Sequence, residues 1–324
     1  MTNKRILVIL TGGTISMKKD TTNEKTVLNL DTSDLTHSLK GALRAIEIDF
    51  IEHSFKPSPY ITPDDMFNFG KLIESNLTSN YDGFVLAHGT DTIEETAYFL
   101  DLYLNTDKPV VLTGSMRNQS ELGYDGILNL ASSILVAASE SSKNRGVLVV
   151  LNDEINAASE VTKTHTVSLD TFKSEEFGPL GIVDDMNVLY YRESTKNKPK
   201  ISLTKLNKTV EIIKVAAGTT SNLLNYLVEQ QVDGIVLEAL GRGNVPPQMI
   251  PGIKNAIDHN IPVLLVSRCH KGRVLDTYAY EGGGYHLSSL GVIMGGNLNS
   301  QKARILLLLL LSANIDKKHY VDYI

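Results

Sequence analysis

Three short apolar stretches in the first 115 residues each end at a glycine that is followed by a hydroxyl side chain. They are Val8-Ile9-Leu10-Thr11-Gly12-Gly13-Thr14, Val85-Leu86-Ala87-His88-Gly89-Thr90-Asp91 and Val110-Val111-Leu112-Thr113-Gly114-Ser115. Buried parallel strands have this apolar composition, and open α/β sheets bind ligands beyond the carboxyl ends of their strands. Gly-Thr and Gly-Ser also end many strands for turn reasons alone. Three such ends, two with threonine and one with an added aspartate, predict an active site.

A threonine hydroxyl needs a base, a lowered pKa or a metal before it acts as a nucleophile. Asp91 is adjacent to Thr90, and Lys163 lies in a β-prone, threonine-rich stretch at 161–166. A lysine buried beside Asp91 would hold the carboxylate ionised and could exchange a proton with Thr90. A solvated lysine on a surface hairpin fits the same residues, since lysine is mostly exposed in proteins. Both interpretations are open at the level of sequence.

Glycines at the first two strand ends let a ligand approach the backbone and leave N–H groups free to face it. This suits an oxyanion hole or a phosphate cradle, but the sequence has no P-loop, and no dinucleotide fingerprint follows the first strand. A serine-hydrolase elbow is also absent. The histidines lack metal-ligand spacing, and the single cysteine, Cys269, cannot form a thiolate cluster. We therefore expect no metal and no cofactor, and we expect His88 to be a packing residue rather than a catalytic base.

The elements that must position these side chains alternate between strands and helices. Strands are expected at 6–10, 46–50, 83–87, 109–112 and 147–151. One helix is expected to begin at Pro63, with Thr62 as its cap, and another after Thr92, which would form a capping box with Glu95. A third helix is expected over 128–138. This alternation predicts an α/β fold with a doubly wound, mostly parallel sheet. The stretch at 161–166 is expected to be a hairpin or an ordered loop.

A polar segment at 192–208, which contains Pro199, separates this region from a second series of strands and helices. The expected domains are an N-terminal catalytic α/β domain at 1–191, a linker at 192–208 and a smaller C-terminal α/β domain at 209–324. The apolar run at 305–311 is much shorter than a membrane span of about 20 residues and predicts a buried helix.

The composition excludes several classes of partner. The 324 residues are 42% hydrophobic and carry a net charge of −6 without a basic block, so we expect no nucleic-acid partner and no membrane partner. A single cysteine fits a reducing compartment, and we expect a cytoplasmic protein. The polar segment at 15–29 is interpreted either as a mobile lid over the site or as a surface loop.

Several motifs together resemble the bacterial L-asparaginase/glutaminase family. The most specific are Thr11-Gly12-Gly13-Thr14-Ile15, His88-Gly89-Thr90-Asp91-Thr92 and Val161-Thr162-Lys163-Thr164. The resemblance continues through Thr113-Gly114-Ser115-Met116-Arg117, Asp125-Gly126, Asn129, Gly178-Pro179-Leu180-Gly181 and Leu298-Asn299-Ser300-Gln301-Lys302-Ala303-Arg304. It covers nearly the whole chain in the expected order. It implies hydrolysis of L-asparagine to L-aspartate and ammonia, by a homodimer or homotetramer.

The resemblance also implies roles for individual residues. Thr14 would be the nucleophile that forms an acyl-enzyme, and Thr90, Asp91 and Lys163 would transfer protons and activate water. The implied substrate-binding residues are Ser58 for the α-carboxylate, Asp91 for the α-amino group, Gly89 and Thr90 beside the oxyanion, Asn244 from a neighbouring subunit, and Glu281.

The sequence departs from the family pattern at three positions. The family's lid tyrosine is missing, because no tyrosine precedes Tyr60, and either Tyr60 or Lys25 would have to replace it. Pro59 stands where a polar residue usually follows the binding serine. Glu281 matches the family's glutamate only with a displacement of a few positions. These departures leave open a broader glutaminase-asparaginase and a homologue that binds or senses acidic amino acids without hydrolysing them.

Overall fold

The computed structural model describes residues 4–19, 26–28, 39, 43, 45–194 and 199–324, with 16–19 and 26–28 described by their backbone alone. Contacts divide the chain into two units, Met1–Lys200 and Ile201–Ile324. Each unit has an α/β fold with its own buried apolar cluster.

The first unit is built on one large sheet. The strands of this unit are β1 (Lys4–Gly12), β2 (Met17–Lys19), β3 (Thr26–Leu28), β4 (Ile46–Lys56), β5 (Gly83–Ala87), β6 (Val110–Thr113), β7 (Val147–Leu151), β8 (Glu154–Ala157), β9 (Thr162–Lys163), β10 (Phe172–Lys173), β11 (Gly181–Asp184) and β12 (Asn187–Tyr190). Strands β2 and β3 pair with each other outside the large sheet, and so do β9 and β10. Its α-helices are α1 (Pro63–Asn76), α2 (Ile93–Tyr103) and α3 (Gly126–Ala138). Within the described ranges, the large sheet has the order β12-β11-β8-β7-β6-β5-β1-β4.

The sheet is parallel from β7 to β4, and β8, β11 and β12 extend it with antiparallel pairs. Strands β5, β6 and β7 are buried along their whole length, as expected for parallel strands covered on both faces. The predicted mostly parallel sheet is confirmed.

Local sequence signals explain where α1 begins. Thr62 accepts a hydrogen bond from the Asp65 backbone N–H, and the Asp65 side chain accepts one from the Thr62 N–H, which is a capping box. Pro63 occupies the first helical position, where its missing N–H costs nothing. The predicted N-terminus of this helix is confirmed.

The second unit is smaller and contains an all-parallel sheet. Its strands are β13 (Val210–Lys214), β14 (Gly234–Ala239), β15 (Val263–Ser267) and β16 (Ile293–Met294), which pair in that order. Its α-helices are α4 (Asn222–Glu229), α5 (Ile250–Asp258), α6 (Gly284–Ser289) and α7 (Ser300–Ser312). Helix α7 includes the apolar run at 305–311 and is largely buried, as predicted. Among the described residues, none of the helices has the length and apolar character needed to cross a bilayer.

Candidate active site

The two threonine-bearing turns leave neighbouring strands at the same edge of the sheet. Strands β1 and β5 pair in parallel, with Leu10 opposite Ala87. Beyond them, Gly13 packs directly on Gly89, because a Cβ atom built on Gly13 would lie 2.4 Å from the Gly89 Cα. Gly13 also has a φ of +80°, which favours glycine. The backbone contact therefore brings the turn that carries Thr14 against the turn that carries Thr90.

Lys163 joins Thr90 and Asp91 through its side chain. The Lys163 Nζ donates to the Thr90 Oγ1 at 3.0 Å and to the Asp91 Oδ1 at 2.7 Å. The hairpin of β9 and β10 carries the lysine, whose side chain is 15% exposed, while that of Asp91 is 58% exposed. Of the two interpretations of Lys163, the geometry favours the one in which the ammonium group contacts the site. The three side chains form one hydrogen-bonded group with a hydroxyl, a carboxylate and an ammonium.

Ser58 lies against the second turn. Its Oγ donates to the Asp91 Oδ2 and accepts from the Asp91 N–H, both at 3.3 Å. The Ser58 carbonyl accepts from the Thr92 Oγ1 at 3.0 Å. The predicted capping box of Thr92 and Glu95 is therefore wrong, since the Thr92 side chain makes no cap hydrogen bond to α2. The Thr92 hydroxyl donates instead to the Ser58 carbonyl, an acceptor that is distant in sequence and that the local sequence does not show.

His88 is fully buried below the second turn. Its Nδ1 lies 2.8 Å from the Gly89 carbonyl oxygen, and its Nε2 lies 3.0 Å from the Thr96 Oγ1. Desolvation lowers the pKa of His88 to about 4, so the imidazole is neutral at pH 7. Both ring nitrogens have protein partners, which fits the expected packing role.

The sequence matches two family descriptions over most of its length. "Asparaginase, N-terminal" matches residues 5–196, and "Glutaminase/Asparaginase C-terminal domain" matches residues 209–323. The chain belongs to the asparaginase family. The predicted family resemblance is thereby confirmed.

Individual members of the asparaginase family match over nearly their full length. The L-asparaginase of Bacillus licheniformis is 35% identical over 312 residues, which is 96% of both chains. The probable L-asparaginase of Deinococcus radiodurans is 38% identical over 320 residues, covering 97% of this chain and 95% of the relative. The crystal structure of a probable cytoplasmic L-asparaginase from Campylobacter jejuni is 32% identical with a TM-score of 0.90, covering 99% of this chain and 98% of that one. These likenesses support the prediction that the chain is an enzyme of this family.

The turn of the first asparaginase-family motif is held through its backbone. Thr14 is half-buried and begins a short 3-10 helix, Thr14–Ser16. The carbonyl oxygen of Ile15 accepts from the Tyr124 OH at 2.9 Å and from the Gln119 Nε2 at 3.3 Å. We did not predict either donor, because both lie in a polar loop without periodicity. Only their position beside the third threonine-glycine strand end could have suggested them.

The remaining predicted binding residues lie in the second unit. Asn244 follows β14 and exchanges backbone hydrogen bonds with Leu240. Glu281 is exposed in the segment before α6. Their roles at the site stay predictions.

Two residues are the predicted replacements for the missing lid tyrosine. Tyr60 is 69% exposed in the 3-10 helix Ser58–Tyr60, and Lys25 lies outside the described residues. Which residue performs this role stays a prediction.

Within the part of the chain that the structure describes, no group of three or more His, Cys, Asp or Glu side chains could hold a metal ion.

Proposed function

We propose that this protein hydrolyses L-asparagine to L-aspartate and ammonia through a threonine acyl-enzyme. The observation that carries the proposal is the contact of one Lys163 ammonium group with both Thr90 and Asp91. Support also comes from the names of the matching relatives, which are L-asparaginases.

In the proposed first step, the Thr14 hydroxyl attacks the side-chain amide carbon of asparagine. Backbone N–H groups near Gly89 and Thr90 stabilise the oxyanion, and the proton lost by the Thr14 hydroxyl passes to the amide nitrogen, which leaves as ammonia when its bond to the carbon breaks. An aspartyl ester on Thr14 results. Thr14 is half-buried, so part of the residue stays accessible to a substrate.

In the second step, water attacks the ester and releases L-aspartate. Thr90, Asp91 and Lys163 accept the proton of the water and return one to Thr14. Ser58 is proposed to bind the α-carboxylate of the substrate and Asp91 its α-amino group. The Ser58 Oγ and the Asp91 carboxylate already lie 3.3 Å apart, so one amino acid can reach both side chains.

The test measures ammonia release from L-asparagine and from L-glutamine by the purified protein and by Thr14→Ala and Thr90→Val. We expect turnover of asparagine and its loss, by at least about 1,000-fold, in both variants, because each removes a reacting hydroxyl. Thr78→Val, which changes an exposed threonine in the same unit, is the matched control for turnover and folding. Retained turnover in a folded Thr14→Ala protein would overturn the role of Thr14.

Two further measurements separate the alternatives. Mass spectrometry of Thr90→Val with asparagine should show an adduct of one aspartyl group if deacylation needs Thr90. Release from both substrates would make the protein a broader glutaminase-asparaginase, which differs from an asparaginase by tolerance of one methylene, worth only about 1–3 kcal/mol. Binding of aspartate by calorimetry without any ammonia release would favour the binding or sensing homologue.

The location and assembly of the protein are part of the same proposal. The matching Campylobacter jejuni structure is of a probable cytoplasmic L-asparaginase, which supports a cytoplasmic enzyme here. The family resemblance supports a homodimer or homotetramer in which Asn244 of one subunit reaches the site of another. Light scattering after gel filtration measures the subunit number, and a monomer with full turnover would contradict this arrangement.

A further inference from the structure

Glu94 is a buried carboxylate in the first turn of α2, immediately after the motif that carries Thr90 and Asp91. The residue is only 5% exposed. Its Oε1 accepts from the Thr162 Oγ1 at 3.1 Å and, more weakly, from the Lys163 backbone N–H at 3.5 Å. A carboxylate in a first helical turn is favoured by the helix dipole. Here, however, the carboxylate also binds a separate strand.

The same two elements are joined a second time at the other end of the lysine. The Lys163 side chain extends to Thr90 and Asp91, which precede α2 by a few residues. Strand β9 is thus attached to the start of α2 twice, through the hydrogen bonds that the Thr162 hydroxyl and the Lys163 N–H donate to Glu94 and through the ammonium group at the tip of the Lys163 side chain. The two attachments therefore hold both the backbone and the terminal ammonium group of Lys163, which has a long and flexible side chain.

The strand that carries Lys163 is short, although its neighbours Val161 and Thr164 donate backbone hydrogen bonds to Ala157 and Thr171. Strand β9 consists of Thr162–Lys163 and pairs only with the two-residue strand β10 in the described sheets. An isolated two-stranded hairpin is marginally stable at best. Contacts to other elements therefore decide where the Lys163 backbone lies, and the hydrogen bond that the Thr162 hydroxyl donates to the buried Glu94 carboxylate is one of them.

We propose that Glu94 is a positioning residue for Lys163. It fixes the backbone of β9 so that the ammonium group stays in contact with the Thr90 hydroxyl and the Asp91 carboxylate. A displacement of about 1 Å in a reacting group costs about 100-fold in rate, and contacts of 2.7 and 3.0 Å would not survive it. This inference rests on the proposed role of Lys163 in hydrolysis.

Two pairs of variants test the hydrogen bond from either side. Glu94→Ala removes the acceptor, whereas Glu94→Gln keeps an oxygen in the same place. Thr162→Val removes the donor, whereas Thr162→Ser keeps the hydroxyl. We expect Glu94→Ala and Thr162→Val to lower kcat by about 100-fold and about 10-fold, with KM for asparagine changed little. Glu94→Gln and Thr162→Ser should recover most of kcat. Asp64→Ala, which removes an exposed carboxylate from the first turn of α1, is the matched control.

A double-mutant cycle distinguishes positioning from a general structural role. If Glu94 acts through Lys163, adding Glu94→Ala to Lys163→Met should cause no further loss of the residual turnover. A further loss of 10-fold or more would overturn the proposal, and so would full activity in both Glu94→Ala and Thr162→Val. If Glu94→Ala does not fold, the Thr162 pair gives the same comparison. Wild-type turnover in Lys163→Met alone would instead contradict the proposed function.

Discussion

The two threonine-bearing turns come from similar sequences and neighbouring strands, yet they are held in different ways. The turn of Thr90 is held by side chains, namely the ammonium group of Lys163, the hydroxyl of Ser58 and the buried ring of His88. The turn of Thr14 is held through its own backbone groups: the Gly13 N–H donates to the Lys56 carbonyl at 3.1 Å, and the Ile15 carbonyl accepts from the side chains of Tyr124 and Gln119. A Cβ atom on Gly12 would lie 2.4 Å from the same carbonyl oxygen.

This difference matches the two proposed tasks. A group that transfers protons needs charged neighbours at fixed distances, and Thr90 is accordingly only 6% exposed. A nucleophile must reach a substrate atom, and Thr14 is half-buried. Glycine contacts between backbones hold the turn of Thr14, the proposed nucleophile, close to its neighbours. If the two proposed tasks are correct, two copies of one local motif acquire different chemistry from the residues that surround them.

The largest expected loss of stability comes from Gly13→Ala, which breaks the glycine contact between the two turns. The new methyl group would lie 2.4 Å from the Gly89 Cα and 2.5 Å from its nitrogen, and an L-residue at φ +80° is strained. We expect a loss of about 4 kcal/mol of stability from overpacking and strain together. Turnover should fall by about 100-fold, because both turns move. Urea unfolding and ammonia release measure these effects.

Gly178→Ala is the matched control for Gly13→Ala. Gly178 has a φ of +73°, but a Cβ there meets nothing within 4 Å. It therefore reports the cost of the backbone conformation alone, about 1–2 kcal/mol, with turnover unchanged. Equal losses in the two variants would mean that the contact between the two turns contributes nothing.

The sequence predicted the turns and some of their supports, namely Lys163 and His88, but not the carboxylate behind the lysine. Strands β1 and β5 were predictable because a continuous apolar run ending in glycine has few other interpretations. Lys163 was noticed because a lysine is unusual in a threonine-rich, β-prone stretch. Glu94 was missed, since a first-turn glutamate is ordinary on any helix, and its partner Thr162 is distant in sequence. Long-range partners leave no local pattern.

The same limit explains the strands that we did not predict. Strands β8, β11 and β12 are short and join the sheet after the alternation of strands and helices has ended at β7. Antiparallel additions of four residues have too few positions to show a period. The hairpin of β9 and β10 was one of two alternatives, and the structure decided between them.

An intermediate loss of stability is expected at acidic pH, where His88 in the turn of Thr90 can become protonated. The pKa of His88 is about 4 in the folded protein and 6.5 in an ordinary environment, because burial disfavours the charged ring. The unfolded chain therefore binds more protons between these values, so the stability from neutral His88 is complete above pH 6.5 and is lost as the pH falls through 4. The difference corresponds to about 3 kcal/mol.

The measurement compares urea unfolding from pH 7 to pH 4 in the wild type and in His88→Gln. The glutamine keeps a donor and an acceptor but does not titrate, so its stability should fall less steeply than that of the wild type. His53→Gln changes an exposed histidine and should keep the wild-type slope. Parallel curves for the wild type and His88→Gln would show that protonation of His88 does not destabilise the turn.

The smallest expected loss of stability comes from Tyr124→Phe, which removes a hydrogen bond to the turn of Thr14. Burial raises the pKa of Tyr124 to about 12, so its hydroxyl stays a donor to the Ile15 carbonyl throughout the neutral range. Removing one neutral hydrogen bond should cost about 1 kcal/mol. The loss is moderated because Gln119 still donates to the same carbonyl. We expect a fall in kcat of about 5-fold by the same energetic argument, whereas Tyr191→Phe, at an exposed tyrosine, should change neither quantity. A loss of 100-fold in Tyr124→Phe would show that the turn of Thr14 depends on a side chain as strongly as the turn of Thr90 does, and would remove the contrast between the two turns.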